Sequence, residues 1–226
     1  MMRDLTLVFD LDGTLVDTAP DLIRATNFVL ESRGIEPLPP ERLRAEISFG
    51  ARHMIAAGLQ HRGVIYSEEE LDDMFLSFLE YYETNIAVES RPFEGLRETL
   101  ESCLEEGARL AVCTNKREDL SRRLLRELGL LGLFDAIAGR DTFPVFKPHP
   151  GHLLGAIRLA NGNPARAVMI GDSEVDVGTA KAARIPVIGV TFGYTQIPVT
   201  ELGPDAVIDS YGEFRTALEK VLPRLS

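Results

Sequence analysis

Cysteine is scarce in this chain, with Cys103 and Cys113 the only two in 226 residues. One sits in a helical pattern and the other inside an apolar run, which excludes the disulfide framework of a small secreted domain and a thiolate zinc site. A reducing, cytoplasmic setting is expected instead. No apolar stretch approaches the roughly 20 residues needed to span a bilayer. The opening Met1-Met2-Arg3-Asp4-Leu5 runs into a short strand-like segment, without the apolar core and small-residue cleavage site of a signal peptide. Cations are also short: 24 Lys and Arg against 35 Asp and Glu give a formal net charge of −11. That field repels phosphate backbones and anionic headgroups, so neither nucleic acid nor a membrane surface is an expected partner. A small anionic substrate remains compatible, because surface charge is screened beyond about 8 Å and a cleft can carry its own cations and a metal. Glycine and proline, 19 and 13, stay near ordinary globular usage, which argues against disorder and low complexity.

What the chain does contain is a regular alternation. Apolar runs at Leu110–Cys113, Ala136–Ala138, Ala167–Ile170, Val187–Val190 and Ala206–Ile208 are separated by helical patterns near 94–106, 117–128, 150–160, 174–184 and 211–222. Such βα repetition predicts an α/β fold with a parallel sheet and helices on both faces. A first strand, Leu5–Phe9, is set apart from this series by residues 20–86, which are helical in pattern and read as an insertion. Leu71, Met74, Phe75, Phe78, Leu79 and Tyr82 recur there at three and four, as do Leu22, Ile23, Ala25, Phe28 and Val29, so amphipathic helices are expected to pack together. Gly34 reads as a helix C-terminal cap and Pro39-Pro40 as a helix start.

Four polar signals follow predicted strands. Leu7-Val8-Phe9 runs into Asp10-Leu11-Asp12-Gly13-Thr14, two acids spaced by two with a glycine that permits a sharp turn; an acidic turn is the plainer reading. Thr114-Asn115-Lys116 offers a hydroxyl and backbone amides suited to phosphate oxygens, although Thr114 can equally cap the next helix and Lys116 and Arg117 can simply be solvated. Lys147-Pro148-His149-Pro150 restricts one lysine between stiff neighbours. His149 and His152 match no familiar zinc spacing and read as surface or helix-start residues. Gly171-Asp172-Ser173-Glu174-Val175-Asp176 again puts an acid where a strand stops, with Ser173 and Asp176 resembling a capping box. In an open α/β sheet all four would face the crevice at the carboxyl ends of the strands. Asp10, Asp12 and Asp172 gathered there would need a hard cation and a lysine to offset their repulsion, which predicts Mg²⁺ with a phosphate ligand.

The ordered set Asp10-x-Asp12-Gly13-Thr14, Thr114-Asn115, Lys147-Pro148 and Gly171-Asp172-x-x-x-Asp176 resembles the haloacid-dehalogenase superfamily, and within it the phosphoglycolate phosphatase group. Gly139-Arg140-Asp141-Thr142 and Gly189-Val190-Thr191-x-Gly193-Tyr194 resemble the same group. The resemblance implies a Rossmann-like core (1–16 and 90–226) and an all-helical cap (17–89). It implies Asp10 as nucleophile, Asp12 as acid and then base, and Lys147 as charge partner. It places Mg²⁺ on the Asp10 carboxylate, the Asp12 carbonyl and Asp172, with Thr114 and Asn115 on the phosphate and Asp176 behind the ligands. An acid at Asp12 separates the chain from the dehalogenases of the superfamily. Substrate choice is expected in the cap, where Ser48-Phe49-Gly50-Ala51-Arg52 opens a helix; Arg52 would bind a substrate carboxylate, or else be a solvated arginine on an amphipathic helix. The expected partner is a small phosphorylated metabolite, and the expected state a monomer or homodimer. A sugar phosphomutase of the same superfamily and a receiver-like phospho-signalling module are the alternatives.

Overall fold

The computed structural model describes residues 2–225. In chain order the strands are β1 (Thr6–Phe9), the two-residue β2 (Val16–Asp17) and β3 (Arg91–Pro92), β4 (Arg109–Cys113), β5 (Ala136–Ala138), β6 (Ala167–Gly171), β7 (Val187–Val190) and β8 (Ala206–Ile208). Six of them form a parallel sheet ordered β5-β4-β1-β6-β7-β8. The chain thus starts in the middle, fills one side through β4 and β5, then crosses to fill the other. β1 lies at the switch between the two directions, where open α/β sheets form their crevice.

The strands are apolar on both faces because helices cover both. Val8, Ala111, Cys113 and Met169 point to the face packed by Leu153, Ala156 and Ile157 of α7 (Pro150–Leu159) and Val177 and Ala180 of α8 (Glu174–Ala183). The alternate residue Phe9 stacks on Phe214 at the start of α9 (Phe214–Val221), ring centroids 6.1 Å apart. Full burial of such a ring contributes about 2–3 kcal/mol. Both cysteines are free and buried; burial pushes the Cys103 thiol up to about 11 and that of Cys113 up to about 12, so neither is a ready nucleophile at neutral pH.

Two compact units divide the chain: residues up to Asp17 with those from Pro92 onward, and Thr18–Arg91. The second contains α1 (Ala19–Ser32), α2 (Pro40–Leu43), a 3₁₀ segment (Arg44–Phe49), α3 (Ala51–His61) and α4 (Glu68–Thr84). Leu71, Met74, Phe78 and Tyr82 of α4 are buried, as are Leu22, Ile23, Ala25 and Val29 of α1, which follows the apolar spacing. Phe28 departs from it. It is 42% exposed and stacks on Tyr81 with ring centroids 4.0 Å apart. Gly34, φ +71°, closes α1: its N–H donates to Glu31 O and that of Ile35 to Leu30 O, the paired bonds of a Schellman cap. Pro40 opens α2 as its first residue. Asp21, buried in α1, accepts from the backbone of Glu89 and Ser90, from the Ser90 hydroxyl and from Arg24, and so ties the first helix of this unit to its last residues. No helix among the described residues is long and apolar enough to cross a membrane.

Candidate active site

Strand register brings the motifs together. Phe9 pairs with Val112 on one side and Ile170 on the other, so the next residues, Asp10, Cys113 and Gly171, end their strands side by side. The Asp10 N–H still donates to Ile170 O at 2.9 Å and the Thr114 N–H to Ala138 O at 3.0 Å, fixing both backbones one step beyond the ladder. Gly13, φ +81°, then turns the chain back, and its N–H reaches Val16 O.

At this edge Asp10, Asp172 and Asp176 each direct a carboxylate oxygen into one cluster, all within 4.8 Å of one another. The buried ammonium of Lys147 lies 2.8 Å from Asp10 Oδ1 and 2.5 Å from Asp176 Oδ1. Burial raises the Asp10 carboxyl to about 7; Lys147 works against this, and Asp176 adds to it. Burial, then Asp176 and Asp10, hold Asp172 well above the usual carboxylate range. Burial alone would depress Lys147, but Asp10 and Asp176 outweigh it and keep the ammonium charged.

The residues fit a hard divalent cation. Three buried carboxylates gather around one ammonium that reaches only Asp10 and Asp176, and oxygen donors at this density are what Mg²⁺ takes. Room has also been kept for Asp172: a Cβ at Gly193 would lie 2.2 Å from its Oδ2, and one at Gly13 2.6 Å from the same atom. Asp172 Oδ2 accepts from the Tyr194 N–H at 2.7 Å, which orients it. Among the residues expected at the metal, Asp10 and Asp172 are in this cluster. The side chain of Asp12 stands outside it, and the ligand expected from Asp12 is its main-chain carbonyl. Asp176 does two things at once: Oδ2 accepts from the Ser173 N–H and hydroxyl as a capping box for α8, while Oδ1 takes Lys147.

Thr114 is not the cap of the following helix, α6 (Glu118–Glu127). Its hydroxyl oxygen accepts from the Lys116 N–H at 3.1 Å, and the Glu118 N–H is met instead by Asp141 at 2.8 Å. The Gly139-Arg140-Asp141-Thr142 segment thereby clasps the start of α6, since Thr142 Oγ1 also donates to Glu118. Asn115 donates to the Lys147 carbonyl at 3.0 Å, and its buried Oδ1 has no hydrogen-bond partner among the described residues. Arg52 belongs to the helical unit, on the first turn of α3 after Gly50, where its guanidinium pairs with Glu68 at 2.6 Å and Asp72 at 2.9 Å. A substrate carboxylate would compete with both for the guanidinium.

Two residues were less visible in the sequence. Lys116 is nearly buried against Asp12 rather than solvated. His149 does cap α7 through the Gly151 N–H, but His152 is fully buried: Nδ1 accepts from the Lys147 N–H at 3.2 Å and Nε2 meets Gly139 O at 3.0 Å. These partners require the neutral tautomer with the proton on Nε2. Burial, then Lys147, pushes His152 down to about 4 from an ordinary 6.5. The unfolded chain therefore takes up this proton near 6.5 and the folded one only near 4, so the stabilisation is complete above 6.5 and lost on acidification toward 4. Replacing His152→Gln is expected to remove about 2 kcal/mol of acid-dependent loss across that window, allowing for solvent screening. Urea unfolding of both proteins at several pH values checks this, and equal pH slopes would refute it.

The model of the haloacid dehalogenase-like hydrolase family matches residues 7–190. A phosphoglycolate phosphatase of Agrobacterium fabrum is 43% identical over 218 residues, 96% of this chain and 94% of that protein. One from Mesorhizobium japonicum is 44% identical over 220 residues, 96% of each. The crystal structure of a protein from Haemophilus somnus, described as a predicted phosphoglycolate phosphatase, superposes with a TM-score of 0.88 at 28% identity, covering 96% of this chain and 98% of that one. With the family model matched across both halves of the sheet and these relatives across nearly the whole sequence, the chain belongs to the haloacid dehalogenase-like hydrolase family.

Proposed function

We propose that this protein is a Mg²⁺-dependent phosphatase of the reducing cytoplasm that hydrolyses a small phosphomonoester, 2-phosphoglycolate, to glycolate and phosphate through an aspartyl-phosphate. The observation that carries the reading is the Asp10–Lys147–Asp176–Asp172 cluster at the carboxyl end of β1. Its support for this substrate is the name carried by the 43–44% identical relatives.

In the first step an Asp10 carboxylate oxygen attacks phosphorus, and the bond to the leaving oxygen breaks as the Asp12 carboxyl gives it a proton. In the second, the Asp12 carboxylate takes a proton from water as the water oxygen bonds to phosphorus. The Asp10 oxygen–phosphorus bond then breaks and phosphate leaves. Lys147, the Thr114 hydroxyl and nearby backbone N–H groups offset charge on the phosphoryl oxygens, while Asn115 holds the Lys147 backbone. Asp10, the Asp12 carbonyl and Asp172 would hold Mg²⁺, which supplies further neutralisation of phosphoryl charge. Asp176 keeps Lys147 in place from behind. Arg52 is assigned to the substrate carboxylate.

Phosphate release from a panel of small phosphomonoesters, with Mg²⁺ and with chelator, tests the reading. Multiple turnovers only with Mg²⁺, and a kcat/KM for 2-phosphoglycolate at least about tenfold above the other members, are expected. Equal rates across the panel would remove the narrow substrate. Transfer of phosphate within a sugar phosphate without release would favour a mutase, and a single phosphorylation event without turnover a signalling module.

A further inference from the structure

Lys116 directly follows the Thr114-Asn115 pair, and its side chain is only 6% exposed. Its ammonium lies 3.1 Å from Asp12 Oδ1 and 3.3 Å from Oδ2, bridging 104 residues of sequence. The backbone carrying it is held from both sides, because the Lys116 N–H donates to Thr114 Oγ1 at 3.1 Å and its carbonyl accepts from the Arg140 N–H at 2.9 Å. The carboxylates of this edge therefore sort into two sets with one ammonium each. Lys147 serves Asp10 and Asp176, and Lys116 serves Asp12, whose side chain stands outside the three-carboxylate cluster. A long flexible side chain with three donors is rarely so fixed without a task, since ordering it costs rotamer entropy.

We infer that Lys116 is a positioning residue for proton transfer, gripping both oxygens of Asp12 and stabilising the charge that appears there when its proton departs. This rests on the reading of Asp12 as the acid of the first step. In that step the proton leaves the Asp12 carboxyl for the leaving oxygen as the phosphorus–oxygen bond breaks. Negative charge develops on the carboxylate that Lys116 faces, and a fixed ammonium favours that transition state more than the ground state. In this first step the benefit is confined to leaving groups that need the proton, whereas the second step, with Asp12 as base, is common to all substrates.

The test compares wild type, Lys116→Met, Lys116→Arg, Asp12→Asn and the Lys116→Met/Asp12→Asn double variant, all with Mg²⁺. The substrates are an alkyl phosphate, 2-phosphoglycolate, and p-nitrophenyl phosphate, whose leaving group departs unprotonated. In the single-turnover rate of leaving-group release, which reports the first step alone, Lys116→Met is expected to slow the alkyl ester about 100-fold and the aryl ester less than about threefold. In the same single-turnover measurement Asp12→Asn should show the same contrast, the double variant should lose no more than Asp12→Asn alone, and Lys116→Arg should recover part of the alkyl rate. In steady state Asp12→Asn should lose turnover on both esters, because the base of the second step is gone. Equal loss on both esters, which a merely structural role would give, overturns the inference, as does full alkyl activity in Lys116→Met. Losses that add in the double variant overturn it too. A wild type inert toward both esters, or an Asp12→Asn variant whose single-turnover release is indifferent to the leaving group, overturns the proposed function itself and this inference with it.

Discussion

Asp10→Asn is expected to lower phosphate release at least about 10⁴-fold while leaving the protein folded. The amide keeps the shape of the carboxyl but cannot accept a phosphoryl group. Little stability should be lost, because the group removed is one that the site holds at a cost: burial, together with the charges of Asp176 and Asp12, pushes Asp10 up to about 7 against the pull of Lys147. Lys147 retains Asp176 at 2.5 Å. The melting temperature should therefore stay within a few degrees of wild type, about 1 kcal/mol at most for a chain of this length. A chemical readout separates nucleophile from bystander. Wild type quenched in acid during turnover should carry one added phosphoryl group by intact-protein mass, and Asp10→Asn none. Near-normal turnover in this variant would sink the covalent mechanism.

The strand ends were legible because chemistry and periodicity coincide there. Val187–Val190 and Ala206–Ile208 fall where the apolar runs put them, and Ala167–Gly171 extends its run by the single glycine that precedes Asp172. Continuous runs such as Leu7-Val8-Phe9 announce burial on both faces, and a parallel sheet covered by helices is the structure that supplies it. The two-residue strands at Val16–Asp17 and Arg91–Pro92 are too short to carry a period and left no signal. Lys116 escaped for a different reason: its partner Asp12 is 104 residues away, and no local pattern distinguishes a paired lysine from a solvated one. The same holds for α6, whose first N–H is met by Asp141 across 23 residues, so that locally Thr114 stands as the alternative cap beside its phosphate-binding reading. His152 does lie in the first turn of α7, as a helix-start residue would, but it is buried rather than on the surface, and its bond to the Gly139 carbonyl 13 residues away is one only the folded register creates. Charge pairing and burial are tertiary facts, and the motif residues were legible only because their spacing along the chain is itself a signature.

Lys147→Met is expected to be the most destabilising single change in the core, and to slow turnover as well. Methionine is unbranched and only one atom shorter than lysine, so the effect reports chiefly the lost charge. Lys147 is the ammonium set between Asp10 at 2.8 Å and Asp176 at 2.5 Å, with Asp172 in the same cluster. Without it three buried carboxylates face one another uncompensated, and breaking a buried pair from one side costs about 3–5 kcal/mol. For a chain of this length that is a fall of about 10 °C in melting temperature. The loss should depend on pH in a defined direction. With Lys147 gone, Asp10 and Asp172, already raised by burial and by neighbouring acids, rise further, and a raised carboxyl contributes stability that is present below its unfolded pKa and disappears as pH rises through the folded one. The variant should therefore be closest to wild type near pH 5 and fall furthest behind near pH 8. Adding Asp176→Asn should restore part of the deficit by removing one of the repelling charges, and Mg²⁺ at 100 times its dissociation constant should restore about 2.7 kcal/mol. Turnover should fall about 10²–10³-fold, the usual cost of removing one preorganised charge partner. Melting curves of both variants across pH 5–8, with and without Mg²⁺, decide the matter: a Lys147→Met protein melting within 2 °C of wild type at every pH would mean that something other than this ammonium balances the cluster.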